Sequence, residues 1–268
     1  MTPILDAQGL CKKFGAVTAA WGISISVEPD TVVGLIGTNG AGKTTFVNMV
    51  TGYIKPDAGV ISFKGQDVTA LDPRQITRLG ICRSFQIPQL YHSLTVLENV
   101  VVALGIVLRN SKQSRWARTP EVVPGHEAPL MAAAEKMLEH FGLCQYRSSP
   151  AGVLPEGARK LLDIALALAV KPEMLILDEP TSGVSSDEKF GVMDTVMNAV
   201  RSQGVTVLFV EHDMEIVSRY SKRVIAFYEG KVLADGAPAH VLGDPDVRKY
   251  VVGGQVVAHA ASKETARA

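Results

Sequence analysis

Gly37–Thr44 reads GTNGAGKT and fits the spacing G-x-x-x-x-G-K-[ST]. Each residue type in it has a task. Glycines let successive backbone N–H groups curl around phosphate oxygens with no Cβ in the way. Lys43 would reach β- and γ-phosphates, and the Thr44 hydroxyl would ligate Mg²⁺. A glycine-rich turn before any helix looks much the same. Context separates the two: TVVGLI precedes the loop as a strand, and Lys43–Thr51 follows it as a helix.

MLILDEP (174–180) supplies the acids that such chemistry needs. The apolar run places Asp178 at the end of a buried strand, where it can hold Mg²⁺ through water. Glu179 stands next to it as a candidate general base toward the attacking water. Three more residues gain meaning beside these. His212 closes the run VTVLFVEH and can touch a γ-phosphate, or serve structure alone. Gln86 follows the strand-like GICRSF and can orient water or metal, or be an ordinary loop residue. Phe14 in KKFG is a stacking surface for a base, or a core aromatic.

The elements that must hold these residues follow from the hydrophobic pattern. Strand-like runs recur at 23–27, 31–37, 60–64, 175–178, 205–210 and 224–228. Several are unbroken apolar runs, as expected of strands covered on both faces. Between them the sequence predicts helices at Lys43–Thr51, Ala132–Phe141, Leu154–Val170 and Glu188–Ser202. That alternation indicates an α/β layer fold. Tyr228–Lys231 (YEGK) reads as a hairpin turn. Residues 105–130, polar and proline-rich, read as an insertion before a helix; the small, polar residues at the end of the chain read as a loosely ordered tail.

In their order along the chain these residues resemble the ATP-binding subunit of ABC transporters: an aromatic in KKFG, Walker A, Gln86 of the Q-loop, a signature helix, Walker B with its glutamate, and the histidine of EHD. The resemblance runs from about residue 4 to residue 253. It implies a P-loop NTPase (RecA-like) α/β core with an antiparallel β part and a smaller helical subdomain. The core would occupy about 1–86 and 161–235, the helical lobe about 87–160, and a C-terminal extension about 236–255, with 256–268 as the tail. The cofactors implied are ATP and Mg²⁺. Phe14 would stack on adenine, and Gly37, Thr38, Asn39, Gly40, Ala41, Gly42, Lys43, Thr44 and Thr45 would hold the phosphates. Thr44, Gln86 and Asp178 would serve Mg²⁺, with Glu179 as base and His212 sensing the γ-phosphate. FQIPQLYHSLTVLENV, the insertion and the segment 228–254 resemble the subfamily serving branched-chain amino-acid import, with urea and amide importers as near relatives.

In that family the helix after the LSGGQ motif points its N-terminus across a dimer interface at the other subunit's γ-phosphate. Leu154, Pro155, Glu156, Gly157 and Ala158 stand in that place, so Leu154, Glu156 and Gly157 would face the partner's ATP. Only Leu154 and Gly157 match the motif. Pro155 replaces a serine, Glu156 brings a negative charge, and Ser185 stands where many relatives have Asp. The partners implied are a second ABC ATPase subunit, identical or paralogous, transmembrane permease subunits and, indirectly, a solute-binding protein. The chain would lie in the cytoplasm against the inner face of the membrane. Two other readings compete: a soluble ABC ATPase of ribosomes or DNA, and a nucleotide-gated regulatory module with weak turnover.

Composition narrows the choice. Across 268 residues, Lys and Arg together number 27 and so do Asp and Glu. No excess of positive charge is available for a sequence-independent grip on nucleic acid, and no nucleic-acid partner is expected. Three cysteines at 11, 82 and 144 lack metal-binding spacing and read as reduced thiols. MTPILDAQGLCKKFG lacks the basic-then-apolar order of a signal peptide. The longest apolar stretch, Val100–Leu108, is far short of the roughly 20 residues that span a bilayer. The basic run 109–118 (RNSKQSRWAR) reads as a solvated face or as a contact with anionic headgroups.

Overall fold

The computed structural model describes residues 2–84, 90–110 and 127–253, with the side chains of 108–110 and 127–129 left out. Gln86, residues 111–126 and the tail from 254 lie outside the described residues, and so does most of the basic run.

In chain order the strands and helices begin with β1 (Leu5–Phe14), β2 (Val17–Val27), β3 (Val32–Gly37), α1 (Lys43–Val50), β4 (Ala58–Phe63) and β5 (Gln66–Asp67). Next come α2 (Pro73–Leu79), β6 (Ile81–Ser84), α3 (Val96–Asn110), α4 (Glu127–His140), α5 (Glu156–Ala169) and β7 (Met174–Asp178). The series ends with α6 (Lys189–Gln203), β8 (Thr206–Val210), α7 (Met214–Tyr220), β9 (Arg223–Tyr228), β10 (Lys231–Gly236), α8 (Pro238–Gly243) and α9 (Pro245–Val247). Every strand and helix expected from the sequence is present, with ends shifted by a few residues, except at the insertion. There α3 continues to Asn110 and α4 starts at Glu127, so both edges of 105–130 are helical. The helix runs on past Gly105: one glycine costs a helix only about 1 kcal/mol, little beside the burial of Val96, Val100 and Leu104 before it.

The described residues fall into two compact units, one formed by those of 2–77 and 206–253 and the other by those between 78 and 205. In the first, β2, β1, β4 and β5 make an antiparallel sheet in that order. A second sheet places β3 between β8 and β9, parallel to both, with β10 antiparallel on the outer side of β9. All of β3 is buried, as its unbroken run Val32-Val33-Gly34-Leu35-Ile36-Gly37 requires. Phe46 of α1 and Phe227 of β9 are both buried, and their rings pack 5.8 Å apart. Burial of each such side chain contributes about 1.5–3 kcal/mol.

In the second unit β6 lies parallel to β7, with Arg83 opposite Ile176 and Ser84 opposite Leu177. β7 is buried along its whole length. The amphipathic α5 buries Gly157, Ala158, Leu162, Ile164, Ala165 and Leu168. The three cysteines are free, and burial pushes the Cys82 thiol up to about 12, which makes it inert.

Candidate active site

The strand–loop–helix that the sequence predicts is formed in the first unit: β3 ends at Gly37, the loop runs over 38–42, and α1 opens at Lys43. Two glycines are there for lack of room. A Cβ at Gly37 would sit 2.7 Å from the Phe227 carbonyl oxygen, and one at Gly42 would sit 2.6 Å from that of Ala19. Gly42 also has φ 104°. No L side chain meets both demands there. The loop is held from behind: Gly230 donates its N–H to the Ala41 carbonyl at 3.0 Å and accepts from the Trp21 N–H at 2.8 Å. The β9–β10 turn expected at 228–231 is thus part of the loop's support. Its pairing of Tyr228 with Lys231, and φ of 47° and 75° at Glu229 and Gly230, define a type I′ hairpin.

Lys43 is buried, and its ammonium donates to the Gly37 carbonyl at 2.7 Å and the Thr38 carbonyl at 3.0 Å. These bonds aim a positive charge across the loop. α1 has no side chain capping its N-terminus and no acid in its first turn. A buried cation and a helix N-terminus facing the same small volume make a seat for an anion. Asn39 and Gly40 are exposed at the loop's crest, and Thr44 is exposed in the first turn of α1 with Thr45 half-buried behind it.

His212 is brought to the same edge. Val210 pairs with Leu35 across the parallel β3–β8 ladder, and the Glu211 N–H donates to the Leu35 carbonyl at 3.2 Å. The loop and His212 therefore leave the carboxyl ends of adjacent strands, where ligands bind in open α/β sheets. His212 is half-buried and its backbone N–H donates to the Glu211 carboxylate at 3.0 Å. Phe14 is 48% exposed at the β1–β2 hairpin, which removes the reading as a core aromatic. Ala19 of the same hairpin lies directly behind Gly42, so the exposed ring stands on the element that backs the loop.

The acids are on the second unit. Asp178 ends β7, is buried, and forms an ion pair with Arg83 of β6 at 2.5 Å. Glu179 follows with φ 51°, a left-handed conformation that costs a non-glycine residue about 1–2 kcal/mol. Its carbonyl accepts from the Ser182 N–H at 3.1 Å and from the buried Lys160 ammonium at 3.3 Å. Those bonds hold the strained residue in place.

The segment Leu154–Ala158 enters α5, with Leu154, Gly157 and Ala158 buried and Pro155 exposed. A Cβ at Gly157 would lie 3.3 Å from Val192, so this glycine also sets how closely α5 packs on α6. The Glu156 carboxylate turns back to Arg159, at 3.3 Å, and over Gly183 in the loop after Glu179. Arg159 also donates to the Leu154 carbonyl at 3.0 Å. The Ser185 hydroxyl donates to Glu188 at 3.0 Å, just before α6. Arg83, Arg159 and Lys160 were not singled out in the sequence. The available signal was weak: a cation inside the apolar run GICRSF, and two on the first turn of an amphipathic helix.

Both donor sets suit their ligands. In the first unit the buried ammonium and loop amides match a polyphosphate; the Thr44 hydroxyl there, and separately the Asp178 carboxylate of the second unit, are each a hard oxygen donor of the kind that Mg²⁺ takes. A buried strand, a glycine-rich loop closed by a buried lysine, and a helix with a bare N-terminus define a phosphate-loop nucleotide-binding protein.

Known proteins narrow that class. The family model for the ABC transporter matches residues 21–182. The branched-chain amino-acid transport ATP-binding protein BraF of Pseudomonas aeruginosa is 35% identical, over 94% of this chain and 98% of its own. LivG of Escherichia coli K12, of the same description, is 34% identical over the same shares. Among solved structures, MJ1267, an ATP-binding cassette of an ABC transporter, superposes with a TM-score of 0.78 at 33% identity, covering 93% of this chain and 99% of that one. Its ADP-bound form gives 0.77, with 93% and 98% covered. The chain belongs to the ABC transporter family, as an ATP-binding and ATP-hydrolysing subunit.

Proposed function

We propose that this subunit powers the import of branched-chain amino acids, working as a dimer with an identical or paralogous cassette against a separate membrane permease. The observation that carries the solute is the 33–35% identity to LivG and BraF proteins over at least 93% of the chain. No helix of the described residues is long and apolar enough to cross a membrane. The permease would hold the subunit at the inner membrane face and receive solute from a binding protein. Residues of about 87–160 serve as the helical lobe and the rest of 1–235 as the nucleotide-binding core. Lys43 and the amides of 37–45 hold the phosphates, Phe14 stacks on adenine, and His212 reads the γ-phosphate. Thr44, Asp178 and Gln86 would hold Mg²⁺, which neutralises phosphate charge when bound. Glu179 takes the proton of the attacking water.

Proteoliposomes carrying the subunit, its permease and its binding protein test the reading. Leucine-loaded binding protein is expected to raise ATP hydrolysis severalfold over the unloaded form, while urea and short amides do not. Stimulation by urea alone would move the chain to the neighbouring subfamily.

The same vesicles test the altered signature. Glu156 puts a carboxylate near the γ-phosphate of the partner's ATP, and Arg159 offsets only part of that charge because both side chains reach solvent. In a homodimeric transporter, Pro155→Ser with Glu156→Gly restores a hydroxyl donor and removes the acid. Turnover is expected to rise by about two- to fivefold, the range for a partly screened charge and one hydrogen bond. Unchanged phosphate release would mean that the helix amides and Gly157 already suffice.

A further inference from the structure

The Arg83–Asp178 pair has a property that neither residue has alone. Arg83 lies opposite Ile176 in the parallel ladder, and Asp178 is two residues further along β7. The two-residue period of a strand puts Arg83, Ile176 and Asp178 on one face of the β6–β7 pair, with the arginine reaching along the strand to the acid. The guanidinium donates to the carboxylate at 2.5 Å, and the two side chains are 10% and 9% exposed. Water therefore screens the pair little, and each charge compensates the other.

We propose that Arg83 is the fixed counter-charge of Asp178 and competes with a divalent metal for that carboxylate, so that it sets how weakly the metal is held. The inference rests on reading Asp178 as the metal-binding acid. A cation that draws on Asp178 meets a positive charge already bound to the same group, and the two repel across a poorly screened distance. Arg83 thus keeps the buried carboxylate oriented throughout the cycle. It also biases the site toward releasing metal once the phosphate charge has left with the product. Arg83 is a positioning residue in this account, since it acts through Asp178.

The test measures Mn²⁺ binding to the full chain saturated with ADP, read from the electron paramagnetic resonance of free Mn²⁺. Arg83→Met removes the charge at similar length and is expected to tighten Mn²⁺ binding about tenfold, a typical effect of deleting one nearby like charge. Arg83→Gln is expected to do the same. Arg83→Lys keeps the charge and is expected to stay within about threefold of the unmodified chain. The melting temperature of Arg83→Met is expected to fall without metal and to recover more of its loss with Mn²⁺ and ADP than the unmodified chain gains. If Arg83→Met is too unstable to purify, Arg83→Gln and Arg83→Lys decide the matter alone. Mn²⁺ affinity unchanged or weaker in the charge-removing variants overturns the proposal. Asp178→Asn separates the two levels: full Mn²⁺ affinity in that variant removes the metal role of Asp178 itself. Loss in Asp178→Asn with no change in Arg83→Met removes only the role of Arg83.

Discussion

Lys43→Ala is expected to weaken ATP binding about a hundredfold while leaving the fold intact. The magnitude follows from charge-assisted hydrogen bonds, each worth about 1.5–3 kcal/mol, where 1.4 kcal/mol is tenfold. The structure adds the reason that no neighbour can substitute. The ammonium is buried and aimed by the Gly37 and Thr38 carbonyls, and an exposed surface lysine would not be held in that direction. The loop itself should persist in the variant, because its backbone path is fixed by Gly37, Gly42 and the Gly230–Ala41 bond rather than by Lys43. Fluorescent-nucleotide titration gives the affinity, and thermal unfolding without nucleotide reports on the fold. Binding within about threefold of the unmodified chain, at equal stability, would remove the loop from phosphate recognition altogether.

That prediction could be written from the sequence because the loop's chemistry is local. GTNGAGKT lies between an apolar run and a helix, and glycine, lysine and threonine each act through their own backbone or side chain. The buried strands β3, β7 and β8 were legible for the same reason: an unbroken apolar run needs no partner to be recognised. β1 was not. Its register shifts between Ala7 and Leu10 and again near Lys12, with Gly9 at φ 61°, and such bulges break the alternation that would mark a strand. β2 was read only in its last five residues, where Ile23, Ile25 and Val27 alternate cleanly into the core. Arg83, Arg159 and Lys160 escaped for a different reason. The meaning of Arg83 lies in a partner on another element and that of Lys160 in the backbone oxygen of a strained residue, neither of which periodicity encodes, and Arg159 bonds locally to the Leu154 carbonyl and Glu156. Glu156 shows the limit most clearly. In the sequence it is an acid facing a phosphate, and in the structure its charge is shared with Arg159 one turn on.

Glu179→Gln should show the opposite pattern to Lys43→Ala. The amide keeps the size and hydrogen-bonding reach of the carboxylate but has no basicity, so ATP should bind within about threefold of normal and hydrolysis should fall by at least about a hundredfold, the usual contribution of a general base. Nucleotide trapped in a lasting dimer would be the visible consequence. A second substitution separates the side chain's role from that of its backbone. Glu179 sits at φ 51°, and its carbonyl accepts from the Ser182 N–H and the Lys160 ammonium. Glu179→Gly keeps those backbone bonds and relieves a left-handed strain of about 1–2 kcal/mol, against about 1 kcal/mol lost to unfolded-chain entropy. The glycine variant is therefore expected to melt no lower than the unmodified chain while hydrolysing as poorly as Glu179→Gln. Lys160→Met should do the reverse, leaving ATP affinity alone and lowering kcat by about tenfold, because the base is still present but less firmly placed. Lys160→Arg should recover part of that loss. Single-turnover hydrolysis, nucleotide titration and thermal unfolding on the same preparations distinguish the cases. Wild-type hydrolysis by Glu179→Gln would take the proton-accepting role away from this residue, and a glycine variant melting clearly lower would show that the side chain, rather than the backbone, holds the loop.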